Sequence, residues 1–86
     1  MDLLNADPIH KLDNLSEEDK ASIVTALEEI HNIGILHGDI RAQNILLDRS
    51  ETMRAYFIDF AFLRKSDCKD AFEEEKEELR NLLNVL

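Results

Sequence analysis

The chain has 86 residues and a formal net charge of −9 at pH 7, a length that accommodates one domain. The acidic balance excludes nucleic-acid binding through basic patches and disfavours an anionic membrane surface. No stretch approaches the roughly 20 apolar residues that a transmembrane helix requires. The single cysteine, Cys68, permits no internal disulfide and favours a reducing, cytoplasmic location.

A first helix is predicted from Ser16 to Ile33. Ser16 is a favourable N-cap residue, and the three acidic residues after it suit the positive end of the helix dipole. Gly34 favours the left-handed conformation that ends many helices, and His31 is interpreted as a helix-end histidine favoured by the dipole. Apolar residues recur at helical spacing and predict one buried face: Ile23, Leu27 and Ile30.

A short polar loop between two apolar runs carries His37, Asp39, Arg41 and Asn44. Asp39 and Asn44 are five residues apart, a spacing that suits neither one face of a helix nor one face of a strand. Their side chains converge only if the loop curls back on itself, and such loops form functional sites more often than packing surfaces. The alternative interpretation is a polar turn between two strands.

Two short antiparallel strands are predicted after this loop, over residues 45–47 and 53–58, joined by a polar turn at 48–51. The second strand alternates apolar and polar residues, as a half-buried strand does. The hairpin would hold Asn44 at its entry and Asp59 at its exit. Closing the hairpin would therefore bring these two side chains together.

A last helix is predicted from Asp70 to Leu86. Asp70 and Glu73 have the spacing of a capping box, with Asp70 as the N-cap. The acidic run at 73–78 is interpreted as a solvated helix face. An apolar stripe runs along the helix and would suit a protein partner; it consists of Phe72, Leu79, Leu82, Leu83 and Leu86.

Two segments together resemble a known family. The run from His37 to Asn44 has the sequence HGDIRAQN, and Asp59 begins the sequence DFA. These segments resemble the catalytic loop and the metal-binding loop of the protein-kinase-like superfamily. The resemblance implies an α+β fold, namely a partial kinase-like C-terminal lobe with two main helices and a short β-hairpin.

The resemblance also implies roles for individual residues in ATP- and Mg²⁺-dependent transfer of a phosphoryl group to a hydroxyl. Asp39 would be the catalytic base, and Arg41 would contact phosphate. Asn44 and Asp59 would bind Mg²⁺ against the nucleotide, which is the expected partner. His37 would be the structural residue of the loop.

The sequence departs from regulated protein kinases at two positions. Gly38 stands where those kinases have arginine, and Ala61 stands where the metal-binding loop has glycine. The HGD variant resembles compact members of the superfamily, including fungal kinase-like proteins and small-molecule phosphotransferases. By this resemblance, residues 1–86 form a single partial domain that runs from the end of the hinge to the helix after the metal-binding loop, without the N-terminal lobe.

Two other interpretations compete with a phosphotransferase. One is a catalytically silent binding module with a kinase-like surface, and the other is a truncated gene product. The complete set of Asp39, Asn44 and Asp59 favours catalytic ancestry, whereas the missing lobe favours the two alternatives. With only two glycines, Gly34 and Gly38, the chain has no glycine-rich loop to cover phosphates, so the isolated chain is expected to bind nucleotide weakly and not to turn it over.

Overall fold

The computed structural model describes residues 7–12, 14–48 and 54–85, and it has an α+β fold. Two 16-residue helices and five short strands account for the regular structure, together with single 3-10 turns at Ile9–Lys11 and Ala42–Asn44. In chain order the elements are β1 (Asp7–Pro8), α1 (Glu17–Asn32), β2 (Ile35–Leu36), β3 (Ile45–Asp48), β4 (Arg54–Phe57), β5 (Arg64–Lys65) and α2 (Lys69–Asn84). The two predicted helices and the predicted hairpin are therefore confirmed.

Helix α1 begins and ends where its sequence predicts. The Ser16 hydroxyl accepts the Asp19 N–H at 3.0 Å, and the Asp19 carboxylate accepts the Ser16 N–H at 2.9 Å, which completes a reciprocal capping box. At the other end Gly34 has a φ of +79°, and its N–H donates to the carbonyl of His31 at 2.9 Å. This well-defined end delivers the chain directly to the polar loop through β2.

Strands β3 and β4 form the predicted antiparallel hairpin, with Ile45 opposite Phe57 and Asp48 opposite Arg54. Strand β1 adds to the other edge of β3, so the sheet has the order β1-β3-β4. A second small sheet pairs β2 with β5. The expected turn of the hairpin lies outside the described residues. None of β1, β2 and β5 was predicted, because each is only two residues long.

Helix α2 has its N-cap two residues earlier than the sequence predicts, so the prediction that Asp70 is its N-cap is wrong. The N-cap is Cys68, whose side chain makes no capping hydrogen bond. The Ser66 hydroxyl accepts the Cys68 N–H at 3.1 Å, so the chain turns at Ser66 and enters the helix at Lys69. Asp70 consequently lies within the first turn, where its charge still suits the helix dipole.

The hydrophobic core lies where α1 contacts both β4 and α2. It contains nine buried apolar residues from both helices, the hairpin and the two 3-10 turns: Ile9, Ile23, Leu27, Ala42, Ile45, Leu47, Phe57, Leu79 and Leu83. Leu79 and Leu83 belong to the stripe assigned to a protein partner, and the chain itself buries them. A partner on α2 stays a prediction. Among the described residues, no helix is both long and apolar enough to cross a bilayer.

Negative charge is concentrated on the helices. Five acidic residues and one lysine give α1 a net charge of −4, and six acidic with three basic residues give α2 a net charge of −3. Residues 33–68, which include the polar loop and the hairpin, contain five acidic and five basic residues and are neutral overall. The loops thus form a neutral region in a strongly acidic chain.

Candidate functional site

The loop between β2 and β3 curls back on itself and brings Asp39 and Asn44 into contact. Its last three residues form the 3-10 turn that leads into β3, and this turn buries the Asn44 side chain. From there the Asn44 amide nitrogen Nδ2 donates to both the backbone carbonyl and the carboxylate Oδ2 of Asp39, each at 3.0 Å. The curled loop thus brings the side chains of Asp39 and Asn44, which are five residues apart, into direct contact.

Arg41 holds the other oxygen of the same carboxylate. Its Nε donates to Asp39 Oδ1 at 2.8 Å, and its side chain is 64% exposed while that of Asp39 is 18% exposed. Such an exposed ion pair contributes little to stability, so its main effect is to orient the carboxylate. The terminal nitrogens of Arg41 have no partner among the described residues and face solvent.

The fully buried His37 links this loop to the segment that carries Asp59. The Asp39 N–H donates to His37 Nδ1 at 3.2 Å, so this nitrogen must present a lone pair. The other ring nitrogen, Nε2, lies 2.7 Å from the carbonyl of Ile58 and must therefore carry the hydrogen. The ring also packs on Phe57 and Phe60. His37 therefore fixes the loop against the residue directly before Asp59.

Asp59 follows β4 and is the one non-glycine residue of the described chain with a left-handed backbone, at a φ of +60°. Asparagine and aspartate tolerate this conformation better than most residues. The preceding Ile58 N–H donates to the carbonyl of Asn44 at 2.9 Å, which closes the base of the hairpin. The backbone positions of Asn44 and Asp59 are thereby adjacent, whereas the convergence of their side chains on one ion stays a prediction.

The oxygen types of Asn44 and Asp59, one amide and one carboxylate, are those that Mg²⁺ accepts as ligands. Asn44 Oδ1 and the Asp59 carboxylate accept no hydrogen bond from any described residue, so both are available as ligands. Within the described ranges no three His, Cys, Asp or Glu side chains cluster as a metal site. An ion here would rely on one amide and one carboxylate, and Mg²⁺ binds with few protein ligands and several waters.

Comparison with known proteins identifies the family. The family model described as "Lipopolysaccharide kinase (Kdo/WaaP) family" matches residues 7–85. The chain belongs to the lipopolysaccharide kinase (Kdo/WaaP) family. Its membership confirms the resemblance to the protein-kinase-like superfamily.

Two yeast protein kinases are similar to shorter segments of this Kdo/WaaP-family chain. It is 45% identical over 40 residues to the serine/threonine-protein kinase PKH1 of Saccharomyces cerevisiae, and 43% identical over 44 residues to the serine/threonine-protein kinase SKS1 of the same organism. The matched segments are 46% and 51% of this chain but only 5% and 8% of the two relatives. The similarity therefore concerns a kinase-like segment and not the whole of either relative.

The glycine of the HGD motif in this family member has a structural cause. Gly38 has a φ of +90°, and a Cβ at this position would lie 2.8 Å from the Cβ of Phe62 and closer still to its carbonyl oxygen. Real Cβ atoms do not approach other atoms so closely, and L-residues rarely adopt this φ. The segment after Asp59 therefore packs directly on the backbone of the polar loop that carries Asp39.

Glu75 is the site residue that the sequence prediction missed. It is only 5% exposed, although the acidic run at 73–78 was interpreted as a solvated face. Its Oε1 lies 2.7 Å from His31 Nε2 and accepts the His37 N–H at 3.0 Å, while its Oε2 accepts the Gly38 N–H at 2.8 Å. Helix α2 thus binds the backbone of the polar loop that carries Asp39 through one carboxylate.

Hydrogen bonds keep the Glu75 carboxylate charged. Burial by itself would raise the pKa of Glu75, but the hydrogen bonds from His31, Gly38 and His37 outweigh it and leave the pKa below the ordinary value of 4.5. His31 was interpreted as a helix-end residue without a specific contact, and it is instead buried between Glu75 and the ring of Phe72.

The sequence does contain a signal for Glu75. It lies four and eight residues before Leu79 and Leu83, so it shares their buried face of α2. An acidic residue at such a position needs hydrogen-bond partners, because a buried charge without them is costly. Glu75 was not singled out because five other acidic residues surround it in the sequence, namely Asp70 and four glutamates within residues 73–78.

Proposed function

We propose that this chain carries the acceptor-activating and metal-binding part of an ATP- and Mg²⁺-dependent phosphotransferase. The observation that carries the proposal is the fixed Asp39 carboxylate, with one oxygen bound by Arg41 and the other by Asn44. Kinase-family membership supports the reaction class. A catalytic base must lie within hydrogen-bond reach of the proton that it accepts, in a defined orientation, and this carboxylate is both oriented and partly exposed.

Asp39 would orient the acceptor hydroxyl and take its proton as the hydroxyl oxygen bonds to the γ-phosphorus of ATP. The bond from that phosphorus to the bridging oxygen breaks, and ADP leaves with the electron pair. Asn44 Oδ1 and the Asp59 carboxylate would hold Mg²⁺, which would neutralise charge at the phosphate oxygens. Arg41, with its terminal nitrogens open to solvent, would donate to the same phosphates.

The acceptor is proposed only as a hydroxyl compound. The family description names lipopolysaccharide, which points to a saccharide hydroxyl. The descriptions of the two yeast relatives name serine and threonine. Transfer assays that offer a saccharide and a serine-containing peptide side by side would separate these two acceptor classes.

A second candidate function is nucleotide binding without turnover. The positions of the two glycines of the sequence favour it, because Gly34 ends α1 and Gly38 lies in the loop that carries Asp39. The 86 residues therefore contain no glycine-rich loop for the phosphates, and positioning with charge stabilisation provides nearly all of the catalysis in this reaction class. We expect weak binding of Mg²⁺-ATP and no ATP consumption by the isolated chain.

Calorimetric titration with Mg²⁺-ATP tests the site. The Asp59→Asn variant should lose at least about tenfold in affinity, since charge-assisted ligands contribute well over 1 kcal/mol. Asp67→Asn removes a carboxylate that is also exposed but lies outside the site, and this variant should bind as the original chain does. Unchanged affinity in Asp59→Asn would refute the metal assignment.

ATP consumption by the same proteins separates the two candidate functions. Turnover by the isolated chain that is abolished in both Asp39→Asn and Asp59→Asn would show that these residues suffice for catalysis. Binding that persists in Asp39→Asn, without turnover in any variant, would support the silent nucleotide-binding function. If the original chain does not bind Mg²⁺-ATP, both candidate functions are refuted.

A further inference from the structure

Most of the exposed large apolar side chains in the described part of the chain lie in one short segment. All eight residues from 58 to 65 are exposed, and we term them the exposed segment. Four of the six exposed large apolar side chains among the described residues belong to it, namely Ile58, Phe60, Phe62 and Leu63. Single apolar residues are common on protein surfaces, whereas a contiguous apolar patch indicates an interaction surface.

The exposed segment is fixed to the rest of the chain in spite of its exposure. At its start the Ile58 N–H donates to the Asn44 carbonyl at 2.9 Å, and at its end strand β5 pairs with β2. Between these points the Leu63 N–H donates to the Phe60 carbonyl at 3.1 Å, and the Phe60 ring lies 4.7 Å from the ring of His37. A surface that is already ordered loses little conformational entropy when it binds.

The exposed segment carries opposite charges at its two ends. Asp59 lies near its start and Arg64 and Lys65 lie at its end, so its formal charge is +1 in a chain of −9. None of these three side chains forms an ion pair with another described residue. Two copies of this acidic chain repel each other at most orientations, and the repulsion is smallest where these segments face each other.

We propose that the exposed segment is a self-association surface on which two copies of this chain meet across a two-fold axis near Phe62. Such an axis makes the two segments antiparallel, so Asp59 of each copy lies opposite the partner's Arg64 and Lys65. The same surface then complements itself, as an isologous interface requires. The aromatic ring of Phe62 lies at the centre, where interfaces are most apolar.

The apolar part of this surface is small, so the dimer is weak. A standard interface buries about 800 Å² on each partner, and four partly exposed apolar side chains supply less than that. Association at this scale is transient, and we expect a Kd above roughly 10 µM. The dimer would therefore form at high local concentration.

Self-association on this surface would cover part of the candidate site. Asp59 lies between Ile58 and Phe60 in the exposed segment, so a second copy covers the carboxylate that is proposed to bind Mg²⁺. Dimer formation and Mg²⁺-ATP binding then oppose each other, and each weakens the other by the same factor. This competition rests on the proposed function, whereas the self-association surface does not.

Sedimentation velocity without nucleotide, at protein concentrations up to about 1 mM, tests the surface. The original chain should pass from monomer to dimer, and Phe62→Ser should raise the Kd at least about tenfold, as the loss of a central aromatic residue does. Leu63→Ser carries the test if Phe62→Ser does not fold. Val85→Ser is the matched control, because Val85 is 80% exposed but lies at the end of the acidic helix α2, and it should leave the Kd unchanged.

Three results would overturn the proposal. They are a monomer at every concentration, an equal loss of association in Val85→Ser, and open-ended aggregation in place of a dimer.

Reversal of charges tests the two-fold arrangement itself. The double variant Arg64→Glu/Lys65→Glu should weaken the dimer, because Asp59 then faces two carboxylates of the partner. Addition of Asp59→Lys should restore association, since every pair is again of opposite sign. Addition of Glu74→Lys instead gives the same net charge through an exposed residue of α2 and should restore nothing. Equal recovery with either added lysine, or recovery with neither, would refute the antiparallel pairing.

Mg²⁺-ATP tests the competition with the candidate site. At a protein concentration that gives mainly dimer, added Mg²⁺-ATP should shift the original chain toward monomer. Calorimetric binding of Mg²⁺-ATP without any shift in the dimer would overturn the claim that the surface covers Asp59. If the original chain binds no Mg²⁺-ATP, the proposed function fails, whereas the serine and charge-reversal variants still decide whether the exposed segment is the self-association surface.

Discussion

At the scale of single residues, the two glycines beside His37 have different constraints. Both have left-handed backbones, with φ of +79° at Gly34 and +90° at Gly38. A Cβ at Gly34 would meet only the carbonyl oxygen of Ser66, at an ordinary 3.5 Å, whereas a Cβ at Gly38 would collide with Phe62. Gly34 is therefore required only by its backbone conformation. Gly38 is required both by its backbone conformation and by the lack of room for a Cβ.

Replacement of each glycine by alanine should separate these two effects. Gly34→Ala should cost about 1–2 kcal/mol, the usual penalty of a left-handed L-residue. Gly38→Ala should cost roughly 1–3 kcal/mol more, because the segment around Phe62 must also move. Urea unfolding of both variants measures the difference. Equal costs would mean that Phe62 does not pack on the backbone of Gly38.

The low pKa of Glu75 makes stability depend on pH in a definite direction. The group has its ordinary value of 4.5 in the unfolded chain and a lower value in the folded protein, so the unfolded state binds the proton more readily. The stabilisation by Glu75 is complete above about pH 4.5 and is lost as the pH falls from there through the folded pKa.

Urea unfolding of the original chain and of Glu75→Gln from about pH 6.5 to about pH 3 checks this dependence. The difference in unfolding free energy between the two proteins should be constant at the upper end of the range and shrink below about pH 4.5. A difference that stays constant down to pH ~3 would show that Glu75 is not ionised in its hydrogen bonds.

At the scale of elements, the two helices begin in contrasting ways. Ser16 and Asp19 form a complete capping box on α1, while the Cys68 side chain at the start of α2 makes no capping hydrogen bond. The residues at the start of α1 therefore mark its N-terminus clearly, whereas those at the start of α2 do not. This contrast explains why the predicted N-cap of α1 is correct and that of α2 is two residues late.

The capping difference predicts opposite effects of two substitutions. Ser16→Ala should destabilise the chain by about 1 kcal/mol, since it removes a bond to an otherwise unpaired backbone N–H. Cys68→Ser should stabilise it by up to about 1 kcal/mol, because serine is a favoured N-cap residue and Cys68 already has extended backbone angles. Thermal unfolding of both variants gives the signs, and a destabilised Cys68→Ser would contradict this account of α2.

Sequence patterns predicted the elements that depend on neighbouring residues. Helix α1 could be predicted from the spacing of its apolar residues and from its caps. The hairpin could be predicted from the alternation of residues in β4 and the apolar residues of β3. The pairings of β1 with β3 and of β2 with β5 join short segments distant in sequence. Two-residue strands have no periodicity, so no local pattern could have predicted them.

The residues of the site also divide into those set by neighbouring residues and those set by contacts between segments distant in sequence. Asp39, Arg41 and Asn44 share one loop, and the hairpin places Asp59 beside it, so the sequence was sufficient to propose these residues together. Glu75 lies 37 residues beyond Gly38, and its contact depends on how α2 packs in the tertiary structure. Its position on the apolar face was visible, but its partners were not.

At the scale of the whole molecule, the two contacting helices are both strongly acidic. They carry seven of the nine net negative charges. The Lys76 ammonium lies 3.6 Å from Glu28 on α1, and it offsets part of the repulsion between the helices. Folding therefore brings like charges together, and mobile ions screen that repulsion.

Added salt should accordingly stabilise the protein. A rise from about 0.02 M to about 0.5 M NaCl shortens the screening length from roughly 20 Å to roughly 4 Å, and we expect a gain on the order of 1 kcal/mol in unfolding free energy. Lys76→Gln removes the compensating cation and should be less stable in low salt and respond more to salt. A loss of stability with salt in the original chain would show that ion pairs outweigh the repulsion.

The hydrogen bond between the Ile58 N–H and the Asn44 carbonyl has a consequence for how this chain tolerates change. Together with the pairs from Ile45–Phe57 to Asp48–Arg54, it closes the hairpin on the side of the site. The spacing of Asn44 and Asp59 is then independent of the length of chain between Asp48 and Arg54, and longer loops add little entropic cost. Extra residues or a whole inserted module at that end would leave the spacing of Asn44 and Asp59 intact, so new binding or regulatory segments can be acquired there by evolution or by design.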